Sequence, residues 1–128
     1  MSLSEKDGLE AYGRMLNTND IEHVVGLLAD DFRYRSQAVL TDLVGKEEFL
    51  TYMRGKLAAI AGRADRPVAE MAYLPAMRDR PCLVLFDNDT GQSICTVLAM
   101  VKDGKLGQID LCIVPPPTTA VRTGEVPC

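Results

Sequence analysis

The sequence predicts an α+β fold, because helical signals fill its first half and strand signals its second. Up to Ile60, apolar residues recur three and four positions apart, the spacing that places them on one face of a helix. From Val68 onward they alternate or run together between turn-forming residues, and one of those turns, Asp103-Gly104, is a strong hairpin signal.

Ser4, with Asp7 three residues later, has the pattern of a capping box and opens a helix through Leu16. Its apolar face is Leu9, Tyr12 and Leu16. Asn17 to Asp20 closes this helix and caps a second, in which Ile21, Val24, Val25 and Leu28 keep helical spacing. At Phe32 the period changes to two: Phe32, Tyr34 and Ser36 share one face of a strand, and Arg33, Arg35 and Gln37 the other. A short strand is expected over Val39 to Leu43. Gly45 then precedes a third helix, KEEFLTYMRGKLAAIA, with Phe49, Met53, Leu57 and Ile60 as its buried stripe. After GRADRP comes a meander of strands: Val68 to Arg78, Cys82 to Asp87, Gln92 to Lys102 and Lys105 to Val114. Pro75 within the first of these implies an edge or a bulge. The proline-rich segment 115–128 lacks periodicity and is expected to be an extended or disordered tail outside a single domain spanning 1–114.

Composition narrows the function classes. The net charge is -4 and the isoelectric point near 4.9, with no cluster of Lys and Arg to neutralise phosphates, which argues against a nucleic-acid partner. The opening MSLSEKDGLE has no apolar core of a secretory signal, and no apolar run approaches the ~18 residues that span a bilayer. A cytoplasmic protein without a membrane partner is expected. Cys82, Cys95 and Cys112 sit inside apolar runs, there is no CxxC, and His23 is the sole histidine. Reduced, buried thiols are therefore expected, with neither a metal site nor a cofactor. His23 falls opposite the apolar stripe of its helix and should face solvent or a partner subunit. Asp30 and Asp31 read as solvated residues at a helix-to-strand boundary, and Arg33 and Arg35 as partners in cross-strand salt bridges. DNDTG, Asp87 to Gly91, lacks the further acids of a calcium loop and reads as a hairpin turn.

The phrase LNTNDIEHVVGLLADDFRYRS, followed by GKEEFLTYM and later by KDGKLGQIDL, resembles the nuclear transport factor 2-like superfamily over about Ser4 to Val114. That resemblance implies a curved, mixed or antiparallel sheet wrapped around three helices, a cone with an apolar pocket at its open end. Relatives include ketosteroid isomerases, SnoaL-like polyketide cyclases, scytalone dehydratase, limonene epoxide hydrolase and dimerising modules. Matched without gaps to ketosteroid isomerase, the phenolic donor falls at Tyr12 and the carboxylate base at Ser36. The neutral acid should fall within Gln92 to Val101, which has no Asp, Glu or His. Ordinary ketosteroid isomerase activity is not expected.

Pocket lining is expected from Tyr12, Leu16, Phe49 and Met53 on the helices and Phe32, Tyr34 and Ser36 on the first strand. The meander is expected to add Met71, Tyr73, Met77, Thr96, Leu98 and Met100. Tyr12 and Asp110 are the catalytic candidates. Tyr12 can donate to a ligand oxygen or simply pack its ring. Asp110 is a base inside the cone or a carboxylate on the sheet's outer face. Three functions follow: a binder of a small hydrophobic molecule; an enzyme of the isomerase, polyketide cyclase or dehydratase type; or a module that homodimerises through the outer face of its sheet.

Overall fold

Helix α1 (Glu5–Thr18) starts where the capping box places it: the Ser4 hydroxyl accepts from the Asp7 amide at 3.0 Å, and the Asp7 carboxylate accepts from the Ser4 amide at 3.2 Å. The structure is a computed structural model that describes residues 3–128. Asn19, in the left-handed conformation, ends α1 and donates through its side chain to the Leu57 carbonyl at 2.9 Å. The second helix, α2 (Glu22–Val25), is only one turn long. Gly26 stops it, and Leu28 belongs to the next strand instead of the helical stripe, pairing with Leu106.

The strands are β1 (Leu28–Ser36) and β2 (Thr41–Val44), then, after α3 (Lys46–Ile60), β3 (Pro67–Leu74), β4 (Arg80–Asp87), β5 (Ser93–Lys102), β6 (Lys105–Cys112) and β7 (Val121–Arg122). They form one seven-stranded sheet in the order β2-β1-β6-β5-β4-β3-β7. β1 and β6 run parallel and every other neighbouring pair antiparallel, so the sheet is mixed. Asp103 and Gly104 make the predicted β5–β6 hairpin, with φ of 53° and 76° at its two central residues. Pro75 ends β3, starting a 3-10 turn through Met77.

One face of the sheet packs on α1 and α3. The core there contains Leu9, Tyr12, Met15, Phe32, Phe49, Met53, Val97 and Ile109, all at most 1% exposed. The other face holds a smaller buried cluster, Ala72, Leu74, Cys82, Val84, Leu98 and Cys112, against which Ala120 packs.

Segment 115–128 is extended in part, as expected, but it is not set apart from the domain. Its 3-10 turn, Pro117–Thr119, lies against β5, and Val121–Arg122 adds an edge strand to β3. Arg122 donates twice to one Glu70 oxygen, at 2.9 and 2.6 Å, while the Gly124 amide donates to the other at 2.8 Å. The guanidinium also stacks 4.6 Å from the Phe86 ring centroid. Beyond it, the Asn17 side chain on α1 donates to the Pro127 carbonyl at 2.6 Å and to the Ala69 carbonyl at 2.9 Å. Gly13 leaves room for Pro127: a Cβ there would sit 3.2 Å from the proline ring.

Candidate functional site

The interior of the cone is an aromatic and methionine cluster with hydroxyls at one end. α1 supplies Tyr12 and Leu16, α3 supplies Phe49 and Met53, β1 supplies Phe32 and Tyr34, and β3 supplies Met71, all members of one buried cluster. Phe49 meets Phe32 edge-on at 4.7 Å between centroids and Tyr34 at 5.3 Å. Tyr52 completes the row, its ring 5.6 Å from that of Tyr34. Tyr52 was not expected from the stripe Phe49, Met53 and Leu57. The signal lay in its spacing, three residues after Phe49 and four before Lys56, which places all of them toward the same side of α3.

The Tyr34 hydroxyl is fully buried and makes no hydrogen bond of good geometry, but the hydroxyls of Tyr12 and Tyr52 lie close enough to act on it. Burial drives the Tyr12 phenol well above its ordinary value, and the neighbouring Tyr34 adds to the effect. Burial raises Tyr34 likewise. Both phenols are therefore neutral donors throughout the physiological range. Beside them on β5, burial pushes the Cys95 thiol up to about 12, opposed by the charge of Lys56. Such a thiol is neutral and a poor nucleophile near neutral pH.

These raised values carry a prediction. An acid whose folded pKa lies above its unfolded one stabilises the fold below the unfolded value and loses that contribution as pH rises toward the folded one. For Cys95 the window runs from 9.0 to about 12, and for Cys82 from 9.0 to about 11. Thermal midpoints under reducing conditions should be level to about pH 8 and fall steadily toward about pH 11. Cys95→Ala should lessen the fall, and a midpoint independent of pH across that range would contradict the burial of these groups.

Several expected lining residues lie elsewhere. Thr96, Leu98 and Met100 project from the outer face of β5, whereas Cys95, Val97 and Ala99 face the helices. Thr96 donates to the Cys112 carbonyl at 3.3 Å, Leu98 sits opposite Asp110, and Met100 is 50% exposed. Met77 is on the exposed 3-10 turn after Pro75. Tyr73, with Met71, lines a cleft of about 570 Å³ at the β3 edge, closed by Lys6, Asp79, Thr123 and Glu125. Ser36 is buried, but its hydroxyl accepts from the Val39 amide at 3.3 Å and so caps a turn.

Asp110 also faces outward. Its carboxylate accepts from Arg35 at 2.7 Å through one oxygen and from Gln108 at 2.7 Å through the other. It borders a cleft of about 450 Å³ with Ser36, Leu98 and Leu40, on the opposite side of the sheet from the tyrosines. Tyr12 and Asp110 are therefore not brought together. Arg33 pairs with Asp42 at 2.7 Å, Asp31 with Lys102 at 2.6 Å and Asp30 with Lys46 at 3.5 Å, which makes these charges surface ion pairs. His23 lies 4.0 Å from Asp20 at the surface. Cys82, Cys95, Cys112 and Cys128 are all free thiols. Among the described residues no group of His, Cys, Asp and Glu is arranged to hold a metal ion, and no helix is long and apolar enough to cross a membrane.

A mixed sheet curled over helices, with a tyrosine cluster on its inner face, defines a class of cone-shaped α+β domains. No protein-family profile matches the sequence, and no curated protein does. Solved structures do match. An NTF2-like protein of unknown function from Cytophaga hutchinsonii superposes with a TM-score of 0.61 at 16% identity, over 92% of this chain and 96% of that one. A candidate polyketide cyclase from Sinorhizobium meliloti gives 0.55 at 16% identity, over 80% and 90% of the two chains. A candidate ketosteroid isomerase from Kribbella flavida gives 0.54 at 19% identity, over 87% and 79%. The chain has the nuclear transport factor 2-like fold. At these identities the likeness concerns architecture, and function rests on the site.

Proposed function

We propose that the protein binds a small, mostly apolar molecule in the interior of its cone, held by the hydroxyls of Tyr12, Tyr34 and Tyr52. The observation that supports this most directly is the Tyr34 hydroxyl, buried beside the Tyr12 and Tyr52 phenols without a hydrogen bond of good geometry. An unsatisfied buried hydroxyl costs about 1–3 kcal/mol, and a ligand oxygen accepting from it recovers that cost. The surrounding surface is aromatic and methionine-rich, suited to an apolar body and able to shift around one. A protein of ketosteroid isomerase-like fold from Catenulispora acidiphila, 13% identical, was crystallised in complex with trimethylamine, so a relative in fold holds a small molecule. No general base is assigned, since Ser36 caps a turn and Asp110 is paired on the outer face. The enzyme reading, an isomerase, cyclase or dehydratase, would draw on the neutral phenols of Tyr12 and Tyr34.

Tyr34→Phe tests the proposal. The free protein should change in stability by less than about 1 kcal/mol, because the hydroxyl removed makes no hydrogen bond of good geometry. Its affinity for any phenolic or carbonyl ligand found by thermal-shift screening should drop about tenfold, the loss of one hydrogen bond of about 1.4 kcal/mol. Unchanged affinity in the variant rules out the tyrosine anchor.

The homodimer reading draws on a different observation. The outer face next to the Leu98 cleft exposes Met100 at 50% and Leu40 at 91%, while its charges are already neutralised by the Arg33–Asp42 and Arg35–Asp110 pairs. Such a surface suits association of like with like. If sedimentation shows a dimer, Met100→Lys should dissociate it, and a dimer that tolerates the lysine must use another surface.

A further inference from the structure

The cleft of about 570 Å³ at the β3 edge shares only Met71 with the buried cluster of the cone, so it is a separate site. The first turn of α1, β3, the corner between β3 and β4, and the C-terminal segment meet there. Its floor is apolar, made by buried Met71 and Ala72 and flanked by Pro75, Pro81 and the half-buried Tyr73. Pairing to β3 fixes the C-terminal wall. The Thr123 amide and hydroxyl donate to the Met71 carbonyl at 3.0 and 2.8 Å, and the Met71 amide donates to the Glu125 carbonyl at 2.8 Å. Another wall is the β3–β4 corner, where Arg78 and Asp79 both take the left-handed conformation, at φ 58°, after the 3-10 turn that Pro75 starts. Three charges line this apolar floor, Lys6, Asp79 and Glu125, and none takes part in an ion pair among the described residues. Glu5, the neighbour of Lys6 in sequence, is already paired with Arg80 at 3.4 Å. Two other clefts differ: in one, Asp30 and Asp31 pair with Lys46 and Lys102, and in the other Asp42 and Asp110 pair with Arg33 and Arg35.

We propose that this cleft binds a small zwitterion with an apolar side chain, of the class of free apolar amino acids. Its ammonium lies toward the carboxylates of Asp79 and Glu125, its carboxylate toward Lys6, and its side chain over Met71 and Tyr73. The volume is in the usual range for a small-molecule site, and the lining has the usual character of one, an apolar floor with a few polar groups converging on it. Apolar walls keep water from screening the charges fully, so an ion held there is attracted more strongly than at an open surface. One ligand carrying both charges matches all three unpaired groups. An amine without the acid leaves Lys6 unused and close to a like charge, and an acid without the amine leaves both carboxylates to repel it. This site is independent of the cone, and Glu125 makes the C-terminal segment one of its walls.

The test uses three probes with one aromatic body: L-phenylalanine, 2-phenylethylamine, which lacks the carboxylate, and 3-phenylpropionate, which lacks the ammonium. Each is titrated calorimetrically into the full chain at neutral pH and low salt. The wild-type protein should bind the amino acid about tenfold or more tightly than either of the others, with the preference shrinking as salt is added. Asp79→Asn with Glu125→Gln should remove the advantage over 3-phenylpropionate, and Lys6→Met the advantage over 2-phenylethylamine. All three positions are exposed, and Asn takes the left-handed backbone of position 79 as Asp does, so the variants should melt with the wild type. If 2-phenylethylamine binds as tightly as the amino acid, Lys6 is idle and the zwitterion assignment falls. It falls equally if 3-phenylpropionate does so, or if the preferences survive the substitutions. Binding of none of the three at millimolar concentration overturns the site itself and leaves the cone reading untouched.

Discussion

Ending the chain at Val114 should lower the thermal midpoint by at least about 10 °C and make the protein prone to associate, because segment 115–128 is a layer of the fold. Its removal takes β7 from the edge of β3 and Ala120 from the buried cluster around Leu74 and Val84. It also takes the Arg122 and Gly124 partners from Glu70, whose side chain is only 9% exposed. An unpaired β edge next to an uncovered apolar patch is a template for intermolecular pairing. For a domain of this size each 1 kcal/mol is worth about 4 °C, so the stated shift corresponds to about 2–3 kcal/mol. Arg122→Ala isolates one part of the effect. It leaves Glu70 without its counter-charge and should cost about 2 kcal/mol, less than a deeply buried pair because water reaches the arginine's side. A truncated chain that melts with the full-length protein would show the segment to be the loose tail its composition suggests.

Phe49→Ala should be the most damaging single substitution in the core, at about 3–5 kcal/mol. Phe49 is fully buried and touches the rings of both Phe32 and Tyr34. Those partners are held by α3 on one side and β1 on the other, so the site collapses poorly and the cavity term stays large. Denaturant unfolding should show a lower midpoint with an unchanged slope. Phe49→Leu should recover most of the loss. A cost of less than about 1 kcal/mol for the alanine would mean that the helix closes over the gap, contrary to the packing described here.

How much of this could be read from the residues depended on whether one face of each element met water. α1 has a polar face, and its apolar positions Leu9, Tyr12 and Leu16 were legible; so were Phe49, Met53 and Leu57 on α3. β1 alternates because Arg33 and Arg35 face out, and its register toward the core followed directly. β5 defeats the same reasoning. Its outer face is partly covered by the chain's own C-terminal segment, so Thr96 and Leu98 are buried along with Val97, and alternation disappears. Bulges at Leu85/Phe86 and Met100/Val101 shift the register on either side. That one uncertainty sent Thr96, Leu98 and Met100 to the wrong side of the sheet. The order of the last fourteen residues was illegible for another reason: it depends on Glu70, Asn17 and Gly13, which carry no mark of the partners they will meet.

The parallel pairing of β1 with β6 also bears on how the chain reaches this structure. Strands β3 to β6 are joined by short turns and can zip together locally, but Arg35 meets Asp110 across 75 positions of sequence. That closure must be paid in chain entropy before its contacts form, whereas the hairpins need almost none. The meander is thus the part that can organise early, with the edge of β6 bare until β1 arrives. The tyrosine cluster, built from α1, β1 and α3, therefore depends on this long-range closure as well as on local turns.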